Sequence, residues 1–182
     1  MSLDKSAGIR GIIYFYAGRR RAGLDDLRLA LEQNPNDAVT LYWLAFCEAA
    51  CGDATRGIAC GMLSLRLSPR DRFLGQKQAA LANALFYGRR YVEGAEAALA
   101  ATRDTPDSVA AHAVLALNLV GIGRIDEAAD ALRTVRALAP AYLARRLSGE
   151  SHVERVEDRE RATVFLRVAA GLEDPAAAEA LR

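Results

Sequence analysis

Histidine and cysteine are scarce in this chain: His112 and His152, and Cys47, Cys51 and Cys60, among 182 residues. A zinc site draws on four such ligands. Cys47 and Cys51 stand i, i+4, but no histidine lies close in sequence to complete a set, so the thiols read as packed side chains. An odd cysteine count, with no basic-then-apolar leader at Met1-Ser2-Leu3-Asp4, points to reduced thiols and a cytoplasmic setting. Long apolar runs are missing as well; none approaches the roughly 18 residues of a membrane span. Neither charge sign dominates: 24 basic and 23 acidic side chains leave a net charge of +1. A nucleic-acid groove shows a larger, clustered basic excess. The short arginine clusters (Arg19-Arg20-Arg21, Arg89-Arg90, Arg145-Arg146) read as solvated turn residues. Phosphate-binding glycine loops and local Ser/His/Asp or Cys/His arrangements are also lacking, and Gly121-Ile122-Gly123 reads as a helix terminator. The expectation is a chain without enzyme chemistry, cofactor or metal, and with no membrane or nucleic-acid partner.

What the chain has is a period. Pro35, Pro69, Pro106 and Pro140 stand 34, 37 and 34 residues apart. Counting back 17 or 18 residues reaches Gly18, Gly52, Gly88 and Gly123; counting back 24 reaches Gly11, Ala45, Ala82 and Ala116. Counting back 12 reaches Gly23, Gly57, Gly94 and Ala128. Small residues let two antiparallel helices approach, a glycine turns the chain between them, and the proline stops the second helix. Alanine and leucine dominate and no stretch alternates long enough for a strand, so the class is all-α.

The units run 4–35, 36–69, 70–106 and 107–140, with Asp37, Asp53, and Asp107 or Ser108 placed to cap helices. The third is three residues longer, the extra length falling in Pro69–Gly75; its first helix is expected to start early and project beyond its neighbours. After Pro140 the pattern fades. In residues 141–182 the spacing of Phe165, Val168, Ala169 and Leu172 predicts an amphipathic helix after a polar stretch, suited to capping the array.

The repeats resemble the tetratricopeptide family. The fourth unit carries this best, through Leu115-Ala116, Leu119, Gly123, Ile125, Ala128, Leu132, Val135 and Pro140; the third follows through Leu81-Ala82, Leu85, Tyr91, Gly94, Ala98, Ala101 and Pro106. Departures are Glu48 and Gly61 in the second unit, where bulky apolar residues are usual, and Arg10 and Arg20 in the first. The resemblance implies a right-handed superhelix of antiparallel helix pairs, about four repeats with C-terminal capping helices, acting as a protein-interaction scaffold. Leu67–Phe73 and Phe165–Leu172 further resemble the repeat region of bacterial class III adenylate cyclase-like signalling proteins; related repeats follow winged-helix domains in bacterial transcriptional regulators. Either likeness implies a regulatory or assembly region with its output domain upstream.

In that architecture the first helix of each pair lines the concave surface. Three columns fall 27, 23 and 20 residues before each proline: Gly8, Tyr42, Ala79, Ala113; Ile12, Phe46, Asn83, Leu117; Phe15, Ala49, Phe86, Val120. The candidate partner-binding residues are Ile12, Phe15, Tyr42, Phe46, Asn83, Phe86, Leu117 and Val120. A carboxylate clamp would need basic residues here and the columns hold none. So apolar a groove needs a cover: an apolar or amphipathic helix of a partner protein or peptide, the chain's own Phe165–Leu172 segment, or a second copy in a homo-oligomer.

Overall fold

The computed structural model describes residues 3–182, with side chains from Ala7 onward; Met1 and Ser2 lie outside it. Four helix pairs follow one another: α1 (Leu3–Tyr16) with α2 (Arg20–Gln33), α3 (Ala38–Ala50) with α4 (Ala54–Leu67), α5 (Leu74–Tyr87) with α6 (Tyr91–Asp104), and α7 (Val109–Gly121) with α8 (Ile125–Leu138). Then come α9 (Pro140–Leu147), α10 (Val156–Ala169) and α11 (Pro175–Glu179). Each helix packs on its own partner, each second helix on the next pair, and the first helices on one another, α1 to α3 to α5 to α7. The result is an all-α superhelical array, and no described helix is long and apolar enough to cross a membrane.

The small residues set the approach within pairs. A Cβ on Gly23 would stand 2.5 Å from the Gly11 carbonyl oxygen, and one on Gly11 would stand 2.7 Å from that of Gly23. In the third pair the corresponding room at Gly94 is filled by Asn118 of the following pair. That fully buried amide donates to the Ala82 and Val114 carbonyls at 3.2 and 2.8 Å, tying α7 to α5. Ser64 ties the second pair similarly, donating to the Ala38 carbonyl at 2.6 Å.

Prolines act one residue upstream. Asn34, Ser68, Thr105 and Ala139 each precede a proline and have φ of −138°, −141°, −139° and −149°, the extended region to which a following pyrrolidine ring restricts its neighbour. Pro140 also opens α9 at its first turn, where no amide is required. Asp37, Asp53 and Ser108 cap α3, α4 and α7 as expected. The turns inside the pairs keep a stricter register than the glycines do. Gly18, Gly52 and Gly123 are left-handed, but in the third pair Arg89 takes that conformation at φ 58° while Gly88 stays right-handed. Gly88 has a packing reason instead: a Cβ there would lie 2.9 Å from Ile58.

Two expectations need correction. The extra residues of the third unit do not lengthen α5, which has 14 residues. They form a turn, Pro69–Phe73, in which Asp71 accepts from the fully buried Lys77 ammonium at 2.6 Å. Leu172 is not on the buried face of the C-terminal helix, because α10 ends at Ala169 and leaves Leu172 57% exposed. Helix α10 instead begins at Val156, inside the polar stretch, and buries the Asp158–Arg161 pair with the guanidinium 5.3 Å from the Phe86 ring.

Glu48 answers the departure seen in the second unit. It is fully buried on α3, accepts from Arg28 of α2 at 2.9 and 2.8 Å, and is ion-paired with Arg56 of α4 at 3.0 Å. Both arginines keep solvent access, so they can swing outward if the carboxylate is removed. Glu48→Leu should therefore stay within about 1 kcal/mol of the native stability or exceed it, whereas Arg28→Ala with Arg56→Ala strands a buried charge at a cost of about 3–5 kcal/mol. Urea unfolding decides it. A larger loss for Glu48→Leu would show that the ion triad itself holds the units together.

Candidate functional site

The three columns of the concave surface do not share one fate. Tyr42 and Phe46 on α3, Ala79 and Asn83 on α5, and Ala113 and Leu117 on α7 floor a chamber of about 700 Å³. The third column is core. Phe15, Ala49, Phe86 and Val120 are fully buried, and Ile12 packs half-buried against the core formed by Phe15, Leu27, Leu41 and Leu44 without reaching the chamber. The candidates Phe15, Phe86, Val120 and Ile12 are thus corrected from lining to support. The reason is the return of the chain: Phe165 of α10 meets Phe86 edge to face at 5.5 Å, and α10 packs along α7.

Past α9 the segment Ser148–Arg155 crosses back to the first two pairs and closes the concave side. The Glu154 amide donates to the Ala50 carbonyl at 2.8 Å, and its carboxylate accepts from Arg21 at 2.8 Å. Val153 is buried, the His152 ring stands edge-on to Tyr16 at 5.1 Å, and Arg155 fills the space over Gly52. This strap, with Tyr142, Arg145 and Arg146 of α9, roofs the chamber; Tyr16 and Arg20 stand at its near end and Tyr87 and Leu166 deeper. The residues that the columns missed come from turns, from the strap, from α9 and α10, and from other positions of the first helices such as Trp43 and Gln76. Their only signal in the sequence was the placing of arginine pairs at turns and of His152 in a polar interruption. Arg20 and Arg146 are half-buried in the chamber wall, not solvated turn residues.

The chemistry of the wall is apolar and aromatic with cationic spots. Burial, with smaller contributions from Tyr16 and Cys47, pushes the Tyr42 phenol up to about 12. Burial likewise raises Tyr87, with Arg146 opposing the rise. His152, exposed on its outer side, is held below its ordinary value by desolvation and by Arg20 and Arg146. The thiols behind the chamber are packed and free: burial pushes Cys51 up to about 11 and raises Cys47 and Cys60, so none is a ready thiolate. His112 is half-buried, with Nε2 2.8 Å from the Pro106 carbonyl oxygen.

Stacked antiparallel pairs, inner first helices and left-handed turns at a 34-residue period identify the architecture. The fold is the tetratricopeptide-repeat fold. A thermophilic TPR protein of Thermus thermophilus, TTC0263, superposes with a TM-score of 0.70 at 21% identity over 97% of this chain and 87% of its own. MamA of AMB-1 follows at 0.61, with 19% identity over 96% and 90%. MamA from Desulfovibrio magneticus RS-1 also reaches 0.61, with 18% identity over 93% and 94%. No family model and no curated protein matches the sequence. At these identities the likeness is one of fold.

The division between floor and core has a measurable consequence. Phe86→Ala empties a sealed aromatic site and should cost about 3–5 kcal/mol. Phe46→Ala removes a half-buried ring and should cost less than about 2 kcal/mol. Thermal and urea unfolding of the two variants compare them directly, and equal losses would contradict the assignment.

Proposed function

We propose that the chain is a non-catalytic protein-interaction scaffold whose concave face receives an apolar or amphipathic segment of a partner protein when the strap is displaced. The observation that carries this reading is the aromatic chamber floored by Tyr42, Phe46, Asn83 and Leu117 and closed by the chain's own Ser148–Arg155. A helix with its side chains is about 10–12 Å across, and the strap lies across the face that it would occupy. The strap must therefore lift for a helix to be laid in by i, i+3, i+4 anchors. Its ties to the first two pairs are Glu154 to Ala50 and Arg21, the His152 contact with Tyr16, Arg155 over Gly52 and the buried Val153. The protonated thiols and the carbonyl contact of His112 offer no prepared nucleophile or base.

The likeness to cyclase-associated repeats adds nothing to this reading. Its two segments have structural work of their own: one is the turn that seats Lys77, the other the end of α10 packed in the core.

A photoreactive benzoylphenylalanine in place of Tyr42, irradiated in extract of the source cells, tests the scaffold. The expected result is one defined protein adduct, strengthened by Glu154→Arg, which opposes Arg21, and lost with Leu117→Asp. The same probe at the exposed Met62 of α4 should not give it. An adduct of twice the chain's own mass would reassign the surface to self-association, and equal adducts from both positions would overturn the reading.

A further inference from the structure

Nine buried side-chain polar atoms have no hydrogen-bond partner among the described residues, and four of them stand around one space. Arg20 Nε, Gln76 Oε1, Asn83 Nδ2 and Arg146 Nε have no hydrogen-bond partner, and all four residues line the chamber. Buried polar groups are paired in the great majority of cases; the other five do not line the chamber, whereas these four border one common space that a ligand or water can enter. Three of the four are donors, and two of these carry a full positive charge. Neither Arg20 nor Arg146 has a carboxylate partner among the described residues, whereas the neighbouring Arg145 is paired with Glu150 at 3.5 Å. Asn83 is 8% exposed and stands on the floor, among Ala79, Leu117 and Phe46.

We propose that the closed chamber binds a small amphiphilic anion, a monocarboxylate with an apolar tail, its head at Arg20, Arg146 and Asn83 and its tail along Tyr42, Phe46 and Leu117. The volume of about 700 Å³ lies in the range of small-molecule sites, which are apolar with a few placed polar groups. Two guanidinium groups and an amide supply charge-assisted and neutral donors to one head, and such bonds are the strong ones in a partly desolvated site. A cationic head would meet Arg20, Arg145 and Arg146, with Glu150 alone to offset them. A neutral head would leave the two guanidinium groups without a counter-charge. The inference needs the strap closed and no protein partner, so it stands or falls apart from the scaffold reading.

Trp43 is the chain's sole tryptophan and lines the same chamber, so the full-length protein carries its own reporter. Its fluorescence is followed while decanoate, decan-1-ol or decylamine is added at concentrations below aggregation. Decanoate should bind at least about tenfold more tightly than the alcohol, the scale of charge-assisted hydrogen bonds, and the amine more weakly than either. Arg20→Gln with Arg146→Gln should bring decanoate to within about threefold of the alcohol while leaving the alcohol's own affinity unchanged. Circular dichroism checks that the double variant folds; if it does not, the order of the three ligands on the native chain decides alone. Equal binding of decanoate and decanol, preference for the amine, or no response to any of the three would overturn the proposal.

Discussion

Helix α7 offers almost no polar surface: from Ala113 to Gly121 every residue is buried, with Asn118 the one polar side chain in that run. A helix apolar on all sides must be covered on all sides. The array supplies α5, α6 and α8, which leaves one face open, and a repeat cannot bury that face alone. The return of α10, with Phe165, Leu166, Val168 and Ala169 buried, follows from that requirement. Because α10 must reach α7 from the concave side, the segment before it must cross the groove. The strap and the chamber are consequences of covering the fourth pair.

The same constraint explains why the inner surface divides. Positions nearest the turns of the first helices face α10 and the neighbouring aromatic rings, so Phe86 and Val120 are sealed. Positions one turn away face the strap, which spans the gap without filling it. The protein thus covers its apolar groove by enclosure, and the residual space carries the binding potential. Glu48 and Ser64 at the apolar interfaces are satisfied from neighbouring helices, Glu48 by two arginines and Ser64 by a carbonyl. Four of the nine unpartnered atoms border the space.

The four pairs were legible because their signals are local: the proline period, the small residues at fixed offsets, and the caps Asp37, Asp53 and Ser108. The positions Tyr42, Phe46, Asn83 and Leu117 followed from the same period, while Ile12, at an equivalent place, does not reach the chamber. Three features were not legible. The turn at Pro69–Phe73 depends on an ion pair between Asp71 and Lys77 that mimics no motif. The burial of Phe15 and Phe86 depends on partners such as His152 and Phe165, far along the chain. The strap carries no periodicity, and its tie to Arg21 spans 133 residues. Arg20 and Arg146 looked like surface charge because the roof above them is invisible to any local pattern.

Closure of the array rests most directly on one backbone contact between distant units, the Glu154 amide to the Ala50 carbonyl at 2.8 Å. Amide hydrogen exchange at Glu154, resolved by nuclear magnetic resonance, measures whether that contact persists in solution. A closed strap predicts exchange at least about a hundredfold slower than a free peptide's, a local opening free energy of a few kcal/mol. Exchange at the free-peptide rate, with α10 still protected, would show that the strap does not close the groove and that the chamber has no roof.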